Sequence, residues 1–214
     1  MPTIFICGDP HGQFFPIVDA VRAERPAAVV LLGDIDAPRP LHELLAPISS
    51  VTDIFWIHGN HDTESEAAYD NLFGSRLVES CLHGKIVNVH GKRIAGVGGV
   101  FRSKIWNGAT ASFETPANYL EVCGKGNRWR GGLPLKHRST LFPSDLHAFA
   151  GELADVLVTH EAPGAHPYGF SALTDLADSL QVKAAFHGHH HQTITYSDGV
   201  WHGVGQCEIF RYTW

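Results

Sequence analysis

Short apolar runs alternate with helical patterns along the first part of the chain. Three of these runs are rich in β-branched and large apolar residues, which is typical of buried strands, and they cover residues 3–7, 27–32 and 51–57. Apolar residues at helical spacing predict a helix over 14–22, between the first two strands. The pattern predicts an α/β fold.

The later segments are less regular. Thr63 and Glu66 have the spacing of a capping box, so we predict that a helix begins at Thr63. Two apolar runs around His90-Gly91-Lys92 predict a β-hairpin. Residues 103–143 show little periodicity, and we interpret them as an irregular insertion. The elements predicted beyond it are helices 146–153 and 171–180, strands 156–158 and 182–186, and an antiparallel meander over 194–212.

The composition is that of a soluble globular protein, since 44% of the 214 residues are apolar and 18% are charged. No repeat or linker is evident, and we interpret residues 1–214 as one domain. Lys and Arg number 16 against 22 Asp and Glu, a formal charge of −6, which disfavours general binding to nucleic acid or membranes. The four cysteines form no C-x-x-C pair and no signal peptide or membrane span is evident, so we expect a cytoplasmic protein. The oligomeric state is left open.

Polar side chains that can bind a metal follow the predicted strands. The segment Gly188-His189-His190-His191 follows an apolar run, and in an extended backbone its first and third histidines would share a face. Taken alone, Asp9 and His11 fit two interpretations equally well. They are either two metal ligands, or a helix cap (Asp9) and a turn residue (His11). Carboxylate, amide and imidazole groups recur at other strand ends, however. The candidate ligands are Asp9, His11, Asp34, Asn60, His160, His189 and His191.

This set is too large for one tetrahedral site and suits two ions that share Asp34. Mixed nitrogen and oxygen ligands without thiolate favour Mn, Fe or Zn, as two divalent or mixed-valence ions. Two such ions can lower the pKa of a bridging water and stabilise the in-line transition state of phosphoryl transfer. The chemistry predicted is hydrolysis of a small phosphate ester.

Cations in and beside the insertion are candidates for contacting the substrate. They are Arg102, Arg128, Arg130 and His137, and arginine is well suited to binding phosphate oxygens. We interpret the insertion as a substrate-facing loop or lid. The alternative is a solvated loop whose tryptophans pack into the core.

The ordered motifs resemble those of the calcineurin-like metallophosphoesterases. The family's D-x-H, G-D, G-N-H-[DE], single H and G-H-x-H blocks correspond here to Asp9-Pro10-His11, Gly33-Asp34, Gly59-Asn60-His61-Asp62, His160 and Gly188-His189-His190-His191. The resemblance implies a four-layer α/β/β/α sandwich of two mixed sheets flanked by helices. It also implies one ion bound by Asp9, His11, Asp34 and His191, and a second bound by Asp34, Asn60, His160 and His189.

By the same resemblance, His61 contacts the phosphate and protonates the leaving oxygen. The family's second block often includes a second aspartate that orients this histidine, and here that position is Ala37. Asp36 and Asp62 are the alternative orienting groups, and we assign His61 and Asp62 as catalytic. The arginine that follows this block in protein Ser/Thr phosphatases is also missing, which favours a small phosphodiesterase or phosphatase.

The leading hypothesis is a dinuclear phosphoesterase that hydrolyses a small phosphomonoester or phosphodiester by attack of a metal-bridging hydroxide. A metal-dependent nuclease acting on single-stranded nucleic acid would use the same chemistry; the basic, aromatic insertion supports it and the net negative charge opposes it. A third hypothesis is a catalytically inactive scaffold that retains the fold, supported only by the missing carboxylate at position 37.

Overall fold

The computed structural model describes residues 2–108 and 110–214. Short 3-10 turns connect several of its elements. The strands and helices in chain order are β1 (Thr3–Cys7), α1 (Phe15–Glu24), β2 (Ala28–Leu31), α2 (Leu41–Leu44), β3 (Asp53–Trp56), α3 (Glu66–Phe73), β4 (Lys85–Val89), β5 (Lys92–Val97), β6 (Trp106–Asn107), β7 (Thr110–Ala111), α4 (Pro116–Val122), α5 (Pro143–His147), β8 (Val156–Thr159), α6 (Ser171–Leu180), β9 (Ala184–His187), β10 (Ile194–Thr195), β11 (Trp201–Gly203) and β12 (Ile209–Thr213).

Two mixed sheets form the centre of the fold. The first has the strand order β12-β1-β2-β3, in which β1, β2 and β3 are parallel and β12 is antiparallel to β1. The second has the order β10-β11-β9-β8-β5-β4. Its four inner strands are parallel, and β10 and β4 are antiparallel strands at the edges.

Alternate residues of each strand face different apolar layers. In β1, Ile4 and Ile6 pack into the layer between the two sheets, where Phe186 of β9 also lies. Phe5 and Cys7 point to the opposite face, which α1 covers. A third layer lies between the second sheet and α6. Because both faces of each sheet are covered, β2 is apolar at every position, and the order of layers confirms the predicted α/β/β/α class.

The parallel strands bring the candidate ligands to one region. The ends of β1, β2 and β3 lead into the loops that carry Asp9, Asp34 and Asn60, while β8 and β9 lead into those of His160 and His189. The carboxyl ends of parallel strands lie at a common edge, which is where open α/β sheets bind ligands.

Two predicted helices differ from the structure. The helix expected to begin at Thr63 is α3, which is capped by Ser65: the Ser65 hydroxyl accepts a hydrogen bond from the Ala68 amide. Thr63 lies in a preceding 3-10 turn. The helix predicted over 146–153 is the shorter α5, Pro143–His147.

The predicted C-terminal meander is wrong in part. Strands β10 and β11 do form an antiparallel hairpin, but β11 pairs in parallel with β9, and β12 joins the first sheet beside β1. Pairing between opposite ends of the chain leaves no local signal in the sequence.

The segment 103–143 is more ordered than predicted. It contains the hairpin β6–β7 and helix α4, whose N-terminus has a capping box formed by Thr115 and Asn118. Ile105, Tyr119 and Phe142 form a small apolar cluster of their own. None of the helices in the described part of the chain is long and apolar enough to cross a membrane. The assignment of 1–214 to one domain stays a prediction.

Candidate metal centre

The first group of ligands lies where β1 and β9 end. The Nε2 atoms of His11 and His191 are 3.2 Å apart, and His191 Nε2 is 3.6 Å from Asp9 Oδ2. Ligand atoms of His11, Asp34 and His191 all lie within 4.8 Å of one another. Carboxylates and imidazoles therefore converge from three separate loops.

The second group surrounds His160, which follows β8. Its Nε2 atom is 3.5 Å from Asp34 Oδ1 and 3.4 Å from Asn60 Oδ1. His189 joins this group, because ligand atoms of Asp34, His160 and His189 lie within 4.8 Å of one another. Asp34 belongs to both groups, so the structure brings all the predicted ligands into one centre.

The ligand loops have an unusual backbone. Residues other than glycine seldom adopt positive φ, although Asp and His do so more often than most. Five ligands have φ between 32° and 66°: Asp9, His11, Asp34, His189 and His191. The expectation that the last two alternate along a strand is wrong, since β9 ends at His187 and each turns toward the centre through its own left-handed residue. Such strain costs about 1–3 kcal/mol per residue and clusters at functional sites.

Two motif glycines leave room for the ligand carboxylates. A Cβ atom at Gly59 would overlap Asp34 Oδ1, and one at Gly188 would overlap Asp9 Oδ1. At both points the backbone itself passes against the carboxylate, so any side chain would displace a ligand. The glycines of the G-N-H and G-H-x-H blocks are thus required by close packing.

The donor set fits metal ions. Two atoms bound to one ion at about 2.1 Å are about 3.0–3.4 Å apart at octahedral or tetrahedral angles, close to the 3.2–3.6 Å separations found in both groups. Asp9 Oδ1 is buried without a hydrogen-bond partner among the described residues. A cation would supply the partner that a buried carboxylate requires. Imidazole, carboxylate and amide donors without thiolate suit Mn, Fe or Zn.

Burial and charge shift the pKa values of the ligands. Burial disfavours charge on both Asp34 and His160, but their mutual attraction prevails, so the pKa of Asp34 is lowered and that of His160 is raised. Burial raises the pKa of Asp9 to about 6, against the effect of His160. Burial, reinforced by His160, lowers the pKa of His189 to about 3. His189 is therefore a neutral imidazole at neutral pH, the form that binds metals.

Known proteins have related sequences and a similar fold. A sequence profile of the calcineurin-like phosphoesterases matches residues 2–193. The chain belongs to the calcineurin-like phosphoesterase family. A protein of Haemophilus influenzae, described as uncharacterized, is 41% identical over 194 residues, which are 90% of this chain and 85% of that protein. The crystal structure of TT1561 of Thermus thermophilus aligns with 99% of this chain, and the alignment covers 98% of the TT1561 chain, with a TM-score of 0.61 and 12% identity. At this identity the match shows a similar fold.

The ring of His61 lies beside both ligand groups of this calcineurin-like phosphoesterase. Its Nε2 atom is 4.0 Å from Asp34 Oδ2. On the other side of the ring, Nδ1 is 3.3 Å from Glu64 Oε2 and 4.0 Å from Asp36 Oδ2. Asp36 lies closer to the first metal group, since its Oδ2 is 2.7 Å from His11 Nδ1. Glu64 is therefore the nearest carboxylate to His61, and Asp36 orients a ligand.

The carboxylate of Asp62 contacts the backbone. Its Oδ1 accepts hydrogen bonds from the amides of Ile35 and Asp36, at 2.9 and 3.0 Å, and its Oδ2 accepts one from the Gly59 amide at 2.8 Å. Asp62 is buried and connects the ligand loop after β2 with that after β3. Among the described residues its carboxylate forms no ion pair with the His61 ring within 4.0 Å, so its role as the orienting group stays a prediction.

Arg102 is the predicted substrate-contacting residue on whose pKa the candidate ligand Asp34 acts. Burial lowers the pKa of its guanidinium, and the negative charges of Glu64, Glu161 and Asp34 oppose this effect. His137 has partners within the insertion, since its Nε2 lies 3.3 Å from Tyr119 Oη and its Nδ1 lies 3.1 Å from Thr140 Oγ1. The contact of Arg102 and His137 with substrate stays a prediction.

Arg128 and Arg130 have other partners. Arg128 Nη2 donates to the Leu120 carbonyl at 2.7 Å, within the insertion. Arg130 forms a bidentate pair with Asp70 of α3, with nitrogen–oxygen distances of 2.5 and 2.8 Å. The Arg128 contact stabilises the insertion internally, and the Arg130 contact attaches the insertion to α3.

Two acidic residues of the centre were not predicted. Glu161 directly follows His160, is only 4% exposed, and places Oε2 3.8 Å from His189 Nε2. Glu64 lies three residues after His61, where a 3-10 turn brings the two side chains together. Glu161 is adjacent to a predicted ligand in the sequence and Glu64 is three residues from a predicted catalytic residue, and this proximity is the signal that could have identified them.

Proposed function

We propose that this phosphoesterase hydrolyses a small phosphomonoester or phosphodiester with two transition-metal ions. The observation that carries the proposal is the position of Asp34, which belongs to two groups of metal ligands at once. One ion would be held by Asp9, His11, Asp34 and His191, and the other by Asp34, Asn60, His160 and His189. When bound, the ions would supply Lewis acidity for activating water and polarising a phosphoryl oxygen.

His61 is the proton donor for the leaving oxygen. Its side chain is 41% exposed and its Nε2 faces the shared Asp34, so a substrate at the centre can reach it. Glu64 Oε2, at 3.3 Å from Nδ1, is placed to hold the ring so that Nε2 points to the centre. A positioned acid of this kind contributes about 10²–10⁴-fold to the rate.

Arg102 binds a phosphoryl oxygen of the substrate. Its Nη2 donates to Ser139 Oγ at 3.1 Å, and Ser139 Oγ is in turn 2.7 Å from Thr63 Oγ1. This chain of contacts fixes the guanidinium relative to the loop that carries His61. Arg102 thus holds the phosphoryl group in line with the proton donor.

A small substrate is favoured over nucleic acid. Arg128 and Arg130 would be needed for an extended basic surface, but both are engaged by other groups, and the net charge is −6. Electrostatic attraction to a polyanion is therefore weak. Four free cysteines are consistent with a cytoplasmic location.

The experiment is turnover of p-nitrophenyl phosphate and bis(p-nitrophenyl) phosphate by protein loaded with Mn, Fe or Zn. We expect hydrolysis of at least one ester, and loss of activity in Asp34→Asn, which keeps the shape of the residue but removes its charge. Asp198→Asn is the matched control, because Asp198 lies in an exposed turn. Wild-type protein that contains two ions per chain and hydrolyses neither ester would contradict the proposal, and cleavage of single-stranded DNA alone would favour a nuclease.

A further inference from the structure

Three aromatic side chains pack together where the insertion meets the start of α6. The rings of Phe101 and Phe170 are stacked, with centroids 4.1 Å apart and planes 18° apart. Trp106 meets Phe101 edge-on, with 5.0 Å between the ring centroids, and its indole nitrogen donates to the Leu141 carbonyl at 2.7 Å. These three rings, which we call the aromatic cluster, are only partly buried.

The aromatic cluster lines a cavity of about 370 Å³. Sites for small molecules begin at about 300 Å³, so the cavity suits a single ring system rather than a large ligand. Helix α6 contributes Ser171, Ala172 and Asp175 to the lining. Among the described residues of the lining, Asp175 is the one charged side chain, so the local charge disfavours an anionic group.

The cavity lies at the same edge of the fold as the metal centre. Strand β5 ends at Val97 and leads to Phe101, while β8 leads through His160 to Phe170 at the start of α6. The two strands are parallel neighbours, so both loops leave the sheet at the edge where the candidate ligands converge. The Phe170 amide also donates to the carbonyl of Ala162, two residues after the candidate ligand, at 3.0 Å.

Phe101 is connected more directly to the centre. Its amide donates to Glu161 Oε1 at 3.1 Å, and Glu161 Oε2 lies 3.8 Å from His189 Nε2. A single carboxylate thus connects the backbone of the aromatic cluster to a candidate ligand. Arg102, the residue proposed to bind a phosphoryl oxygen, directly follows Phe101 in the chain. The organic group of a phosphoester bound at the centre would therefore lie beside the aromatic cluster.

We propose that the aromatic cluster binds the organic group of the phosphoester, and that this group is an aromatic ring without negative charge. The inference rests on the proposed function, because it takes the phosphoryl group to lie at the two-ion centre. Aromatic rings attract one another through offset and edge-to-face contacts beyond what apolar area alone contributes. The carboxylate of Asp175 disfavours a ring that carries an acidic group. The substrate class is thus a neutral or cationic aryl or arylmethyl phosphoester.

A second cavity near the centre is the competing position for this group. It lies beside the loop that follows His11 and is lined by Phe15, Arg22, Arg39 and Asp19. Its two cations against one carboxylate favour an anionic group instead of a neutral ring. A substrate with an acidic ring would prefer this cavity, so the charge that the protein accepts on the ring distinguishes the two positions.

Benzylphosphonate and cyclohexylmethylphosphonate are the probes for binding to metal-loaded protein by calorimetry. The two compounds have the same charge and similar size, only the first is aromatic, and neither contains a P–O–C bond to hydrolyse. Benzyl phosphate and cyclohexylmethyl phosphate are the corresponding substrates for kcat/KM, because their leaving alcohols have similar acidity. Diesters of the same alcohols replace them if the protein hydrolyses diesters alone.

Phe170→Leu is the test variant for stacking, because leucine keeps an apolar side chain and removes the ring. We expect the wild type to bind benzylphosphonate about 2–12-fold more tightly than cyclohexylmethylphosphonate. Phe170→Leu should lose this preference while it keeps its affinity for the cyclohexyl compound. Phe15→Leu is the matched control, which removes a ring from the competing cavity and should keep the preference. Urea unfolding reports whether each variant is folded.

Asp175→Asn tests the charge of the cavity without altering the aromatic cluster. Asp175 is exposed on α6, so this variant should fold even if Phe170→Leu does not. The wild type should bind p-carboxybenzylphosphonate more weakly than benzylphosphonate, and Asp175→Asn should reduce that difference about 2–5-fold. Asp178→Asn, an exposed position of the same helix, is the matched control and should behave as the wild type.

Four outcomes would overturn the inference: equal affinity of the wild type for the two neutral-ring probes, a preference that persists in folded Phe170→Leu, a preference that is lost in Phe15→Leu, and a difference for the carboxylated probe that Asp175→Asn leaves unchanged. In each of these cases hydrolysis of the esters by the wild type would leave the proposed function intact. Wild-type protein that holds two ions per chain, binds none of the phosphonates and hydrolyses none of the esters would contradict the proposed function itself.

Discussion

Gly188→Ala perturbs the centre through one added methyl group. A Cβ atom at Gly188 would overlap Asp9 Oδ1 and would also come within 3.1 Å of Asp9 Cγ. Asp9 is fully buried, and its Oδ2 atom is held by the His189 amide. The alanine must therefore displace the Asp9 carboxylate or the loop that carries His189.

The magnitude follows from the contacts that are lost. Overpacking a tight interior costs about 1–3 kcal/mol. The Asp9 Oδ2 atom accepts a hydrogen bond from the His189 amide at 2.7 Å, and a hydrogen bond to a charged group contributes about 1.5–3 kcal/mol. The two costs overlap, because movement of the carboxylate relieves the overlap while it breaks the bond. We expect the free energy of unfolding to fall by about 2–4 kcal/mol.

Urea unfolding of the metal-free protein measures this loss, and Mn²⁺ calorimetry measures its effect on the site. Gly126→Ala is the matched control, since a Cβ at Gly126 meets nothing within 4 Å, and it should change stability by less than about 0.5 kcal/mol. Gly188→Ala should also lose tight binding of the first ion, because Asp9 is one of its proposed ligands. If Gly188→Ala had the same stability and the same Mn²⁺ affinity as the wild type, the reasoning that the Gly188 backbone packs directly against the Asp9 carboxylate would be refuted.

Three further predictions concern groups around the centre. Glu64→Gln should slow hydrolysis of an alkyl phosphate about tenfold more than that of p-nitrophenyl phosphate, because only the poorer leaving group depends on protonation by His61; equal effects in steady-state kinetics would contradict this. Asp36→Asn should weaken binding of the first ion about 10–100-fold in calorimetry, because Asp36 orients His11, and unchanged affinity would exclude that role. The pKa of His160 is raised above its ordinary value, so the metal-free protein must release the imidazolium proton of His160 when it binds Mn²⁺. The affinity for Mn²⁺ should therefore rise by up to about tenfold per pH unit near neutrality. Calorimetry in buffers of different ionisation enthalpy counts the released protons, and release of none would refute the shift.

The convergence of the candidate ligands could be predicted because two signals coincide at each strand end. The run 27–32 is apolar throughout and is followed at once by Gly33-Asp34, and β2 occupies Ala28–Leu31 of that run. A strand buried on both faces must be apolar, so its end is visible in the sequence. The residue that directly follows the strand is then expected to lie at the edge of the sheet and is a candidate site residue, whatever the conformation of the loop.

The orienting group of His61 could not be predicted in the same way. The sequence offered Asp36 and Asp62 as replacements for the missing carboxylate at position 37, whereas Glu64 lies nearest to the ring. The difference depends on a 3-10 turn over His61–Thr63, which aligns residues three apart. Because this turn precedes it, α3 begins only after Ser65, which caps the helix. A turn of this kind is set by its surroundings and has no pattern of its own.

The centre is held by contacts among the ligand loops more than by their local preferences. Left-handed backbone at five ligands corresponds to a total of about 5–15 kcal/mol, comparable to the whole stability of a typical domain. Carboxylates offset this strain by tying one loop to another: Asp9 accepts from the His189 amide and Asp34 Oδ1 accepts from the His61 amide at 2.9 Å. Asp62 adds three such bonds. Because the candidate ligands support one another in this way, contacts within the protein contribute to holding the loops in the geometry of the centre.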